Sequence, residues 1–498
     1  MQPDPAAPVR LCATLAAAGA SGVRAAAATA VAQGADLVEV RLDHLGAPDP
    51  SVCAGLGAPV VATCRPVWEG GRCAGAESER ERALRGALEA GAAFVDVEWA
   101  AAFRDRLLAT DPHRVVLSLH DFGGVPPDLE ARVEAMLATG AAVVKVAVLA
   151  RRLRDLMPLL ACGRRLGGSG RLVLIAMGDA GMPSRILARR FGSCWTYAGD
   201  AVAPGQLPLL RLLDEFGVRG LAGSTPVYGV VGRPVSHSAS PAIHNAGFRA
   251  TGVDAVYVPF AAETFDDFLA VADALGVEGC SVTAPFKGDA AAAAAERDEA
   301  TARLGAANTL RRTAGGGWAA RNTDAEGFLR PLGPGPLDAV RATVLGAGGA
   351  ARAVAWALAG RGARVTVRAR REDAARAVAA LVGAHAGPLP PPPGSWDLLV
   401  NATPVGTAPG VEASPMAGCR LDGRVVYDLV YHPPETALLR AARASGCRAI
   451  GGFDMLVGQA AAQFAWWTGR AAPVEVMRAG AAHRLAPDSP AGEAGGTA

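Results

Sequence analysis

Short apolar runs alternate with longer Ala/Leu/Arg/Glu stretches along the first 220 residues of the chain. The longer stretches have helical spacing, as in 76–90 and 128–138. The apolar runs have the length and composition of buried strands, and they lie at 10–15, 36–41, 60–65, 94–98, 115–120, 143–147, 172–177 and 194–197. Eight strand-then-helix units predict a (β/α)8 barrel over residues 1–222, although an open, doubly wound sheet has a similar rhythm.

Several of these runs end in a polar or charged side chain. Arg41, Arg65, Glu98 and His120 stand at the ends of their runs, and Lys145 lies inside the sixth run. The catalytic groups of barrel enzymes gather at the carboxyl ends of the strands. We therefore expect these side chains to converge on one mouth of the barrel.

A second α/β region follows a Gly/Ser/Thr/Pro stretch at 220–226 and extends to residue 330. Residues 331–338 form another linker pattern, and 341–360 has the pattern of a strand, a glycine turn and a helix. The whole chain is therefore predicted to be an α/β protein, with a second domain over 226–330 and a Rossmann-type domain over 331–455. Residues 485–498 lack a core pattern, which predicts a disordered tail.

The composition is that of a globular chain with large cores, since 51% of the 498 residues are hydrophobic and 19% are charged. A net charge of +2 gives no global electrostatic reason to expect a nucleic acid or an anionic membrane as a partner. The nine cysteines include no CxxC pair, so we expect neither a metal site nor a disulfide framework. The N-terminus has no signal-peptide pattern and no charge-free run reaches membrane-spanning length. We therefore expect a cytoplasmic protein, while a trimmed transit peptide stays compatible with the sequence.

The chain uses arginine for almost every cationic position. Two of its 49 Lys and Arg residues are lysine, namely Lys145 and Lys287. Arginine keeps its proton near neutral pH, whereas a desolvated lysine can act as a base or form a Schiff base. Lys145 also stands in an apolar, β-branched run, where an unpaired ammonium is unfavourable. We therefore expect chemistry at both lysines; the alternative is that two lysines survive by chance.

Six motifs of the first half resemble type I 3-dehydroquinate dehydratase, in order and over the whole half. They are VEVRLD (38–43), TCRPVWEGG (63–71), LSLHDF (117–122), VVKVAV (143–148), MPSRIL (182–187) and APGQ (203–206). The resemblance implies a Schiff base between Lys145 and the substrate ketone, with His120 as general acid/base and Glu69 holding the imidazole. It also implies that the substrate's hydroxyls and carboxylate are bound by Glu39, Arg41, Arg65, Arg185 and Gln206.

This chemistry agrees with the residue types. An apolar strand and nearby guanidinium groups favour the uncharged amine that attacks a ketone. Imidazole titrates near neutral pH, and a bidentate arginine suits a carboxylate. One position departs from the family, which usually has Ser or Thr four residues before the glutamine, whereas this chain has Val202. A substrate hydrogen bond is then missing or supplied elsewhere, which is expected to weaken binding but keeps the nucleophile.

The second half resembles shikimate dehydrogenase over nearly all of 227–470. The matching motifs are 229–245 (GVVGRPVSHSASPAIHN), 281–287 (SVTAPFK), 306–309 (AANT), 321–324 (RNTD), 346–351 (GAGGAA), 400–406 (VNATPVG), 426–431 (VYDLVY) and 451–467 (GGFDMLVGQAAAQFAWW). The resemblance implies a proton-exchanging pair of Lys287 and Asp324, and C-terminal helices over 456–484 that pack back on the substrate-binding domain. It assigns further substrate binding to Ser238, Ser240, Thr283, Asn308, Tyr431 and Gln459.

The glycine turn predicts a dinucleotide site, because its backbone NH groups and the following helix N-terminus can approach a pyrophosphate. An NAD enzyme presents an acidic residue after the second strand, but RARRED (368–373) stands there and favours the 2′-phosphate of NADP. The family's Asn-Arg-Thr signature is altered, since Arg370 matches and its neighbours Ala369 and Arg371 do not. The predicted cofactor-binding residues are Gly346, Ala347, Gly348, Gly349, Ala350, Arg368, Arg370, Arg371, Asn401, Thr403, Gly452 and Met455.

The sequence therefore predicts a bifunctional shikimate-pathway enzyme. Its first half is expected to dehydrate 3-dehydroquinate to 3-dehydroshikimate, and its second half to reduce that product to shikimate with NADPH. Small molecules are its expected partners. Three alternatives remain at this point: a dehydrogenase half that prefers quinate with NAD, a chain with one inactive half kept as a scaffold or regulatory module, and a first half that is an unrelated Schiff-base aldolase.

Overall fold

The apolar runs of the first half form eight parallel strands. The computed structural model describes residues 8–199 and 204–486. The strands follow the predicted runs to within two residues at each end, because β-branched residues on both faces of a strand favour a sheet that is buried on both sides. They are β1 (Arg10–Leu15), β2 (Leu37–Arg41), β3 (Val60–Thr63), β4 (Phe94–Glu98), β5 (Val115–Asp121), β6 (Val143–Leu149), β7 (Leu172–Met177) and β8 (Trp195–Ala198).

The eight strands close into a barrel. Strands β1 to β7 pair with their sequence neighbours, and β8 pairs with β1. The last seam is joined by a bridge between Leu172 and Ser193, and the Ser193 hydroxyl accepts a hydrogen bond from the Leu174 amide at 2.9 Å. Closure confirms the predicted barrel and rules out the open sheet for this half. The helices around it are α1 (Gly19–Ala32), α2 (Glu77–Glu89), α3 (Arg104–Thr110), α4 (Leu129–Ala138), α5 (Leu156–Leu166) and α6 (Met182–Ile186).

A mixed sheet forms the middle lobe of the molecule. Its strands have the order β10-β9-β11-β13-β14-β12, in which β13 runs antiparallel to both of its neighbours. The strands are β9 (Val227–Gly232), β10 (Val256–Ala261), β11 (Val277–Val282), β12 (Glu296–Arg297), β13 (Thr309–Arg312) and β14 (Trp318–Arg321). The helices are α7 (Ser240–Thr251), α8 (Phe265–Leu275), α9 (Lys287–Ala293), α10 (Glu299–Leu304) and α11 (Asp324–Leu329).

A parallel sheet forms the Rossmann-type lobe, as the glycine turn predicts. Its order is β17-β16-β15-β18-β19-β20, so the chain reverses direction beside β15, where doubly wound sheets bind dinucleotides. The strands are β15 (Arg341–Leu345), β16 (Arg364–Arg368), β17 (His385–Gly387), β18 (Leu398–Asn401), β19 (Val425–Asp428) and β20 (Arg448–Ile450). The helices are α12 (Gly349–Gly360), α13 (Glu372–Leu381) and α14 (Ala437–Ala444).

Two C-terminal helices, α15 (Gly452–Thr468) and α16 (Val474–Leu485), pack against the middle lobe. Phe464 and Met477 share an apolar cluster there with Phe248 and Tyr257. Thus α15 begins beside the Rossmann-type lobe and ends beside the middle sheet. The expected tail over 485–498 lies outside the described residues apart from Leu485, which ends α16, and Ala486.

The barrel packs directly against the middle lobe through one continuous apolar core. Asp267, near the start of α8, is buried, and its carboxylate accepts hydrogen bonds from the amides of Leu153 and Arg154 at 2.8 and 2.9 Å, just before α5. The Arg190 guanidinium donates to the carbonyls of Gly223 and Thr225 at 2.8 and 2.6 Å, in the segment that joins the two lobes. Polar groups therefore fix the two lobes in one orientation.

Two searches of the described residues returned nothing. Within 8–199 and 204–486, no helix is long and apolar enough to cross a membrane. The same ranges hold no group of three or more His, Cys, Asp and Glu side chains arranged for a metal ion.

Candidate active sites

Lys145 lies at the mouth of the barrel among carboxylates. Its Nζ atom is 3.0 Å from an oxygen of Asp96 and 3.4 Å from an oxygen of Glu39. Nζ also lies 4.2 Å from the centroid of the Tyr197 ring, where a cation is attracted to the π face. The residue is 5% exposed, so the amine is buried but paired. The sequence predicts burial in an apolar strand and misses Asp96.

Arg65 is held by several acidic side chains. Its guanidinium contacts Asp96 and Glu98 at 2.8 Å each and Glu69 at 3.4 Å. It also donates to the Ser118 hydroxyl at 2.8 Å. Burial lowers the pKa of Arg65, but these carboxylates outweigh burial and raise the pKa above its usual value. Arg65 therefore balances the buried negative charge beneath Lys145.

His120 and Glu69 form a close pair, with the imidazole Nδ1 2.9 Å from a Glu69 carboxyl oxygen. Burial lowers the pKa of His120, and the positive charges of Arg65 and Lys145 lower it further. Burial raises the pKa of Glu69 to about 8, against the attraction of Arg65 and with the repulsion of Glu98. At neutral pH the imidazole is therefore uncharged and Glu69 mostly holds a proton, so the pair can pass protons without a large change in charge.

Hydroxyl groups connect the other predicted residues of this mouth. Glu39 accepts hydrogen bonds from Thr14 and Thr63, both at 2.9 Å. The Gln206 amide donates to the same Thr14 hydroxyl at 3.2 Å, which brings Gln206 within one residue of Glu39. The Arg41 guanidinium is instead engaged with Asp43, in two hydrogen bonds of 2.9 and 2.7 Å.

Arg185 is the predicted residue with the least compensated charge. It is 2% exposed, its Nη2 donates to the Pro204 carbonyl at 3.3 Å, and its Nε is buried without a hydrogen-bond partner. Burial lowers the pKa of Arg185 to about 10. A buried guanidinium with an unused donor suits an anionic group such as a carboxylate. Val202, the departure from the family, lies outside the described residues.

The second lysine faces a carboxylate in the middle lobe. Lys287, the first residue of α9, forms an ion pair with Asp324, the first residue of α11. The Asn308 amide donates to the other oxygen of Asp324 at 2.7 Å and lies 3.5 Å from the Gln459 side-chain oxygen. This arrangement joins four of the predicted residues in one hydrogen-bonded group.

The other predicted substrate-binding residues stand at neighbouring strand ends of the same lobes. The Ser238 hydroxyl accepts from the Ser240 amide at 3.2 Å, at the start of α7. Thr283 follows β11, and its amide donates to Val231 at 2.9 Å. Tyr431 follows β19 and is half-buried, and burial raises its pKa. Hydrogen bonds link these four residues to neighbours other than the Lys287–Asp324 pair.

The glycine turn lies directly beside Lys287. Gly346 has φ +115°, and a Cβ there would approach the Ala402 carbonyl to 2.8 Å, so only glycine fits. A Cβ on Gly349 would lie 3.4 Å from the Lys287 side chain, whereas one on Gly348 would meet open space. Ala347 and Ala350 complete a turn that leads into α12, whose N-terminus can receive a phosphate group.

Four other predicted cofactor residues surround the turn. The Asn401 side-chain oxygen accepts from the Thr403 hydroxyl at 2.6 Å, which fixes the loop after β18. Gly452 has no room for a side chain, because a Cβ would come within 2.2 Å of the Leu429 carbonyl. Met455 is buried in the apolar cluster that contains Phe328.

The three arginines after β16 differ in their surroundings. Arg368 is 7% exposed, and its guanidinium donates to the Pro388 carbonyl at 2.6 Å, within its own lobe. Arg371 pairs with Asp373 at 3.1 Å. Arg370 is exposed and, among the described residues, has no ion pair or side-chain hydrogen bond. It is therefore the arginine of this group whose charge is available to a ligand.

Comparisons with known proteins agree with this division into two sites. The family model for Type I 3-dehydroquinase matches residues 11–220. The model for the shikimate dehydrogenase substrate binding domain matches 230–310, and that for the shikimate 5'-dehydrogenase C-terminal domain matches 452–479. The bifunctional 3-dehydroquinate dehydratase/shikimate dehydrogenase of Arabidopsis thaliana, a chloroplastic protein, is 34% identical over 479 residues, covering 89% of this chain and 79% of the plant protein. The chain belongs to this bifunctional family.

Two further similarities concern the dehydrogenase half of this family member. A shikimate dehydrogenase (NADP(+)) of Anaeromyxobacter sp. (strain K) is 45% identical over 267 residues, covering 51% of this chain and 94% of the relative. A crystal structure of a shikimate dehydrogenase in complex with NADP+ superposes with a TM-score of 0.50 at 33% identity, covering 53% of this chain and 98% of that chain.

Sequence reasoning misses several groups of the dehydratase half. Asp96 links Lys145 to Arg65, the Ser118 hydroxyl donates to Asp96 at 2.6 Å, and Tyr197 lies under Lys145. A signal for Asp96 exists in the run FVDVE, where two acids stand two residues apart and so face the same side of a strand.

Proposed function

We propose that this chain catalyses two successive reactions of the shikimate pathway. The barrel dehydrates 3-dehydroquinate to 3-dehydroshikimate, and the two following lobes reduce this product to shikimate with NADPH. The observation that carries the proposal is that each of the two lysines is ion-paired in its own cluster of polar residues, one in each half. The assigned residues keep the roles that the resemblance implies, with the changes argued below.

Lys145 is the proposed nucleophile of the dehydratase. Its amine attacks the substrate ketone, and loss of water leaves an iminium on the same nitrogen. Because the iminium is positively charged, the carboxylates of Asp96 and Glu39 stabilise it as they stabilise the ammonium. The iminium withdraws electrons from the neighbouring C–H bond, and an imine hydrolysed at the end releases the product and the free lysine.

His120 is the proposed proton carrier of this reaction. Its uncharged imidazole accepts the proton from carbon and returns a proton to the departing hydroxyl, so that water leaves and the carbon–carbon double bond forms. Glu69 orients the ring through Nδ1, which leaves Nε2 to face the substrate. The net result is loss of one water from 3-dehydroquinate, with His120 and Lys145 regenerated.

Arg185 is the best-supported residue for the substrate carboxylate, because its guanidinium is buried with an unused donor. Gln206 and Glu39 are proposed to bind hydroxyls. Arg65 and Arg41 already pair with carboxylates, so their proposed contribution is to set the charge of the site and to bind substrate through their remaining donors.

Lys287 and Asp324 are the proposed proton-exchanging pair of the dehydrogenase. NADPH, when bound, supplies the hydride to the ketone carbon. Lys287 donates a proton toward the ketone oxygen, and Asp324 keeps the lysine oriented and able to recover its proton. Ser238, Ser240, Thr283, Asn308, Tyr431 and Gln459 are proposed to hold the hydroxyls and carboxylate of 3-dehydroshikimate.

The cofactor is proposed to be NADP(H), held by the predicted residues around the glycine turn. The narrow turn at Gly346 and the open face at Gly348 fit a pyrophosphate at the N-terminus of α12. Arg370 is proposed to contact the 2′-phosphate. The proposed domains are 1–222, 226–330, 331–455 and 456–484. Nine free cysteines support a reducing compartment, and we propose a cytoplasmic location.

Two lysine substitutions test the division of labour. Lys145→Arg is expected to abolish dehydration and leave NADPH-linked reduction of 3-dehydroshikimate intact, and Lys287→Arg is expected to do the reverse, because a guanidinium keeps its charge but cannot exchange the proton. Borohydride reduction in the presence of 3-dehydroquinate, followed by mass mapping, should modify Lys145. Either substitution leaving both activities at the wild-type level would refute the role of that lysine.

The same assays decide between the remaining alternatives. An inactive half would show no turnover in the wild-type chain. Faster NAD-linked oxidation of quinate than NADPH-linked reduction of 3-dehydroshikimate would indicate a quinate enzyme. Retro-aldol products from 3-dehydroquinate would indicate an aldolase.

A further inference from the structure

A buried glutamine lies directly behind the dehydrogenase site, on the third turn of α15. Gln463 is 1% exposed and stands one helical turn after Gln459. None of the motifs' assigned roles includes it. Its side chain is too far inside the middle lobe to meet a ligand, so its contacts with other residues decide what it does.

All the hydrogen-bonding atoms of the Gln463 amide are engaged. Nε2 donates to the Asn308 carbonyl at 3.3 Å and to the Thr309 hydroxyl at 3.1 Å. Oε1 accepts from the Ser281 hydroxyl at 2.8 Å and lies 3.3 Å from Nε2 of His244. A carbonyl oxygen can only accept, so the amide nitrogen must face Asn308 and the amide has one possible orientation.

His244 reinforces this orientation. It is fully buried, and burial lowers its pKa to about 3, so the imidazole is uncharged at neutral pH. Because Oε1 of Gln463 is an acceptor, Nε2 of His244 carries the proton, and its Nδ1 is buried without a partner. The ring stacks on Tyr257 with centroids 4.4 Å apart, which prevents it from turning.

The network reaches both sides of the proposed substrate pocket. On one side Asn308, whose backbone Gln463 holds, donates to Asp324 at 2.7 Å and so faces the partner of Lys287. On the other side the Ser281 hydroxyl accepts from Tyr257 at 2.6 Å, and the Tyr257 hydroxyl also contacts Ser240. One amide therefore connects the proton-exchanging pair to the hydroxyl-binding serine.

We infer that Gln463 is a positioning residue of the dehydrogenase, which fixes Asn308, and through it Asp324, relative to the start of α7. The inference rests on the proposed function of this half. Gln463 does not touch the reacting atoms, and its effect passes through hydrogen bonds of Asn308 and Ser281.

Replacing Gln463 tests this role in the full-length chain. Gln463→Glu keeps the size and the acceptor but places a carboxylate oxygen against the Asn308 carbonyl. It is expected to lower kcat for NADPH-linked reduction about 100-fold, as for a displaced catalytic group, and to raise KM for 3-dehydroshikimate. KM for NADPH and dehydration of 3-dehydroquinate should stay unchanged, since neither site contacts Gln463.

Asn245→Asp is the matched control. Asn245 is also a buried amide of the middle lobe, and it bonds the backbone of Tyr257 at 3.0 and 2.7 Å but does not reach Asn308. It is expected to lower Tm and leave the kinetic constants unchanged. The same result for Gln463→Glu would mean that Gln463 is merely structural and would overturn the inference.

A second variant decides the case in which Gln463→Glu does not fold. Gln463→Met has a similar volume and no charge, and it removes the donor to Asn308. A fall in kcat with unchanged dehydration supports the inference, and wild-type kinetics overturn it. Absence of reduction by the wild-type chain is a different outcome, because it would refute the proposed function and the inference together.

Discussion

The charge at Lys145 is controlled by individual neighbouring residues. Asp96 and Glu39 lie within 3.0 and 3.4 Å of its Nζ, and Arg65 bonds the other oxygen of Asp96 at 2.8 Å. A buried carboxylate shared by two cations holds both in place. The apolar strand surrounds the stem of the lysine, whereas its amine meets acids, so the expected environment of an isolated amine is wrong.

Asp96→Asn is expected to lower kcat of dehydration about 100-fold or more, because the neutral amide no longer stabilises the cationic nitrogen. Leaving Lys145 and Arg65 partly unpaired should also reduce the free energy of unfolding by about 3–5 kcal/mol. Steady-state dehydration and calorimetry measure the two effects. NADPH-linked reduction by the same preparation is the control, and an unchanged dehydration rate would contradict the assigned role of Asp96.

Glu69 makes the stability of the barrel depend on pH. Its pKa is raised to about 8 in the folded chain, above the ordinary value of 4.5, so the folded state binds a proton that the unfolded state releases. This contribution is present at low pH and is lost as the pH rises toward about 8. Relative to Glu69→Gln, the wild type should lose up to about 1.4 kcal/mol per pH unit between about pH 5 and 8.

Calorimetry of both proteins across this range measures the difference in the unfolding of the barrel. The contributions of other titrating groups are common to the two proteins and cancel. Equal pH dependence in the wild type and Glu69→Gln would show that Glu69 is ionised throughout.

Residue types and motif spacing predict part of the dehydratase site. Lys145, His120 and Glu69 stand in the quoted motifs, and the structure brings the last two within 2.9 Å of each other. The pairing of Arg41 with Asp43 and the position of Asp96 depend on which strands become neighbours. A single sequence contains no information on such distances, so these contacts were out of reach.

At the scale of elements, the turn between β16 and α13 separates two adjacent arginines by their partners. Arg371 is paired with Asp373, whereas Arg370 has no partner among the residues that the structure describes. Sequence alone treats the cluster RARRED as one basic patch. The structure also turns Arg368 inward, toward the carbonyl of Pro388.

Arg370→Gln is expected to reduce the preference for NADPH over NADH about tenfold or more, since a charge-assisted hydrogen bond to phosphate contributes about 1.5–3 kcal/mol. Arg371→Gln is the matched control and should change the preference little. KM values for both cofactors in the reduction of 3-dehydroshikimate provide the measurement. A larger effect at Arg371 would reverse the assignment.

Element types follow well from the hydrophobic pattern, and element pairing follows less well. The eight barrel strands agree with the predicted runs because each is a continuous β-branched segment. The short antiparallel pair β13 and β14 was not resolved within the second α/β region, because four-residue strands carry too little periodicity.

At the scale of the whole molecule, the contact between barrel and middle lobe makes their stabilities interdependent. The Asp267 carboxylate accepts two amide hydrogen bonds across this contact, at the start of α5. Removing it leaves two amides without their acceptor beside a shared apolar core. This loss should affect both lobes, although Asp267 lies in neither site.

Asp267→Ala is expected to destabilise the chain by about 3 kcal/mol, since bonds to a charged group contribute about 1.5–3 kcal/mol each. Tm should fall by several degrees, and the barrel and middle lobe should separate into two calorimetric transitions. Asp266→Ala, at the exposed neighbour, is the matched control. A single transition with unchanged Tm in Asp267→Ala would show that the apolar core alone joins the lobes.

The scarcity of lysine gives the protein a built-in reporter of local opening. A protease specific for lysine has two internal bonds to cut, Lys145–Val146 in the middle of β6 and Lys287–Gly288 at the start of α9. Both lie in regular structure, so each is cut only when its own strand or helix comes apart. The order in which the fragments 1–145 and 288–498 are released under mild denaturant therefore reads out which half gives way first, without any label.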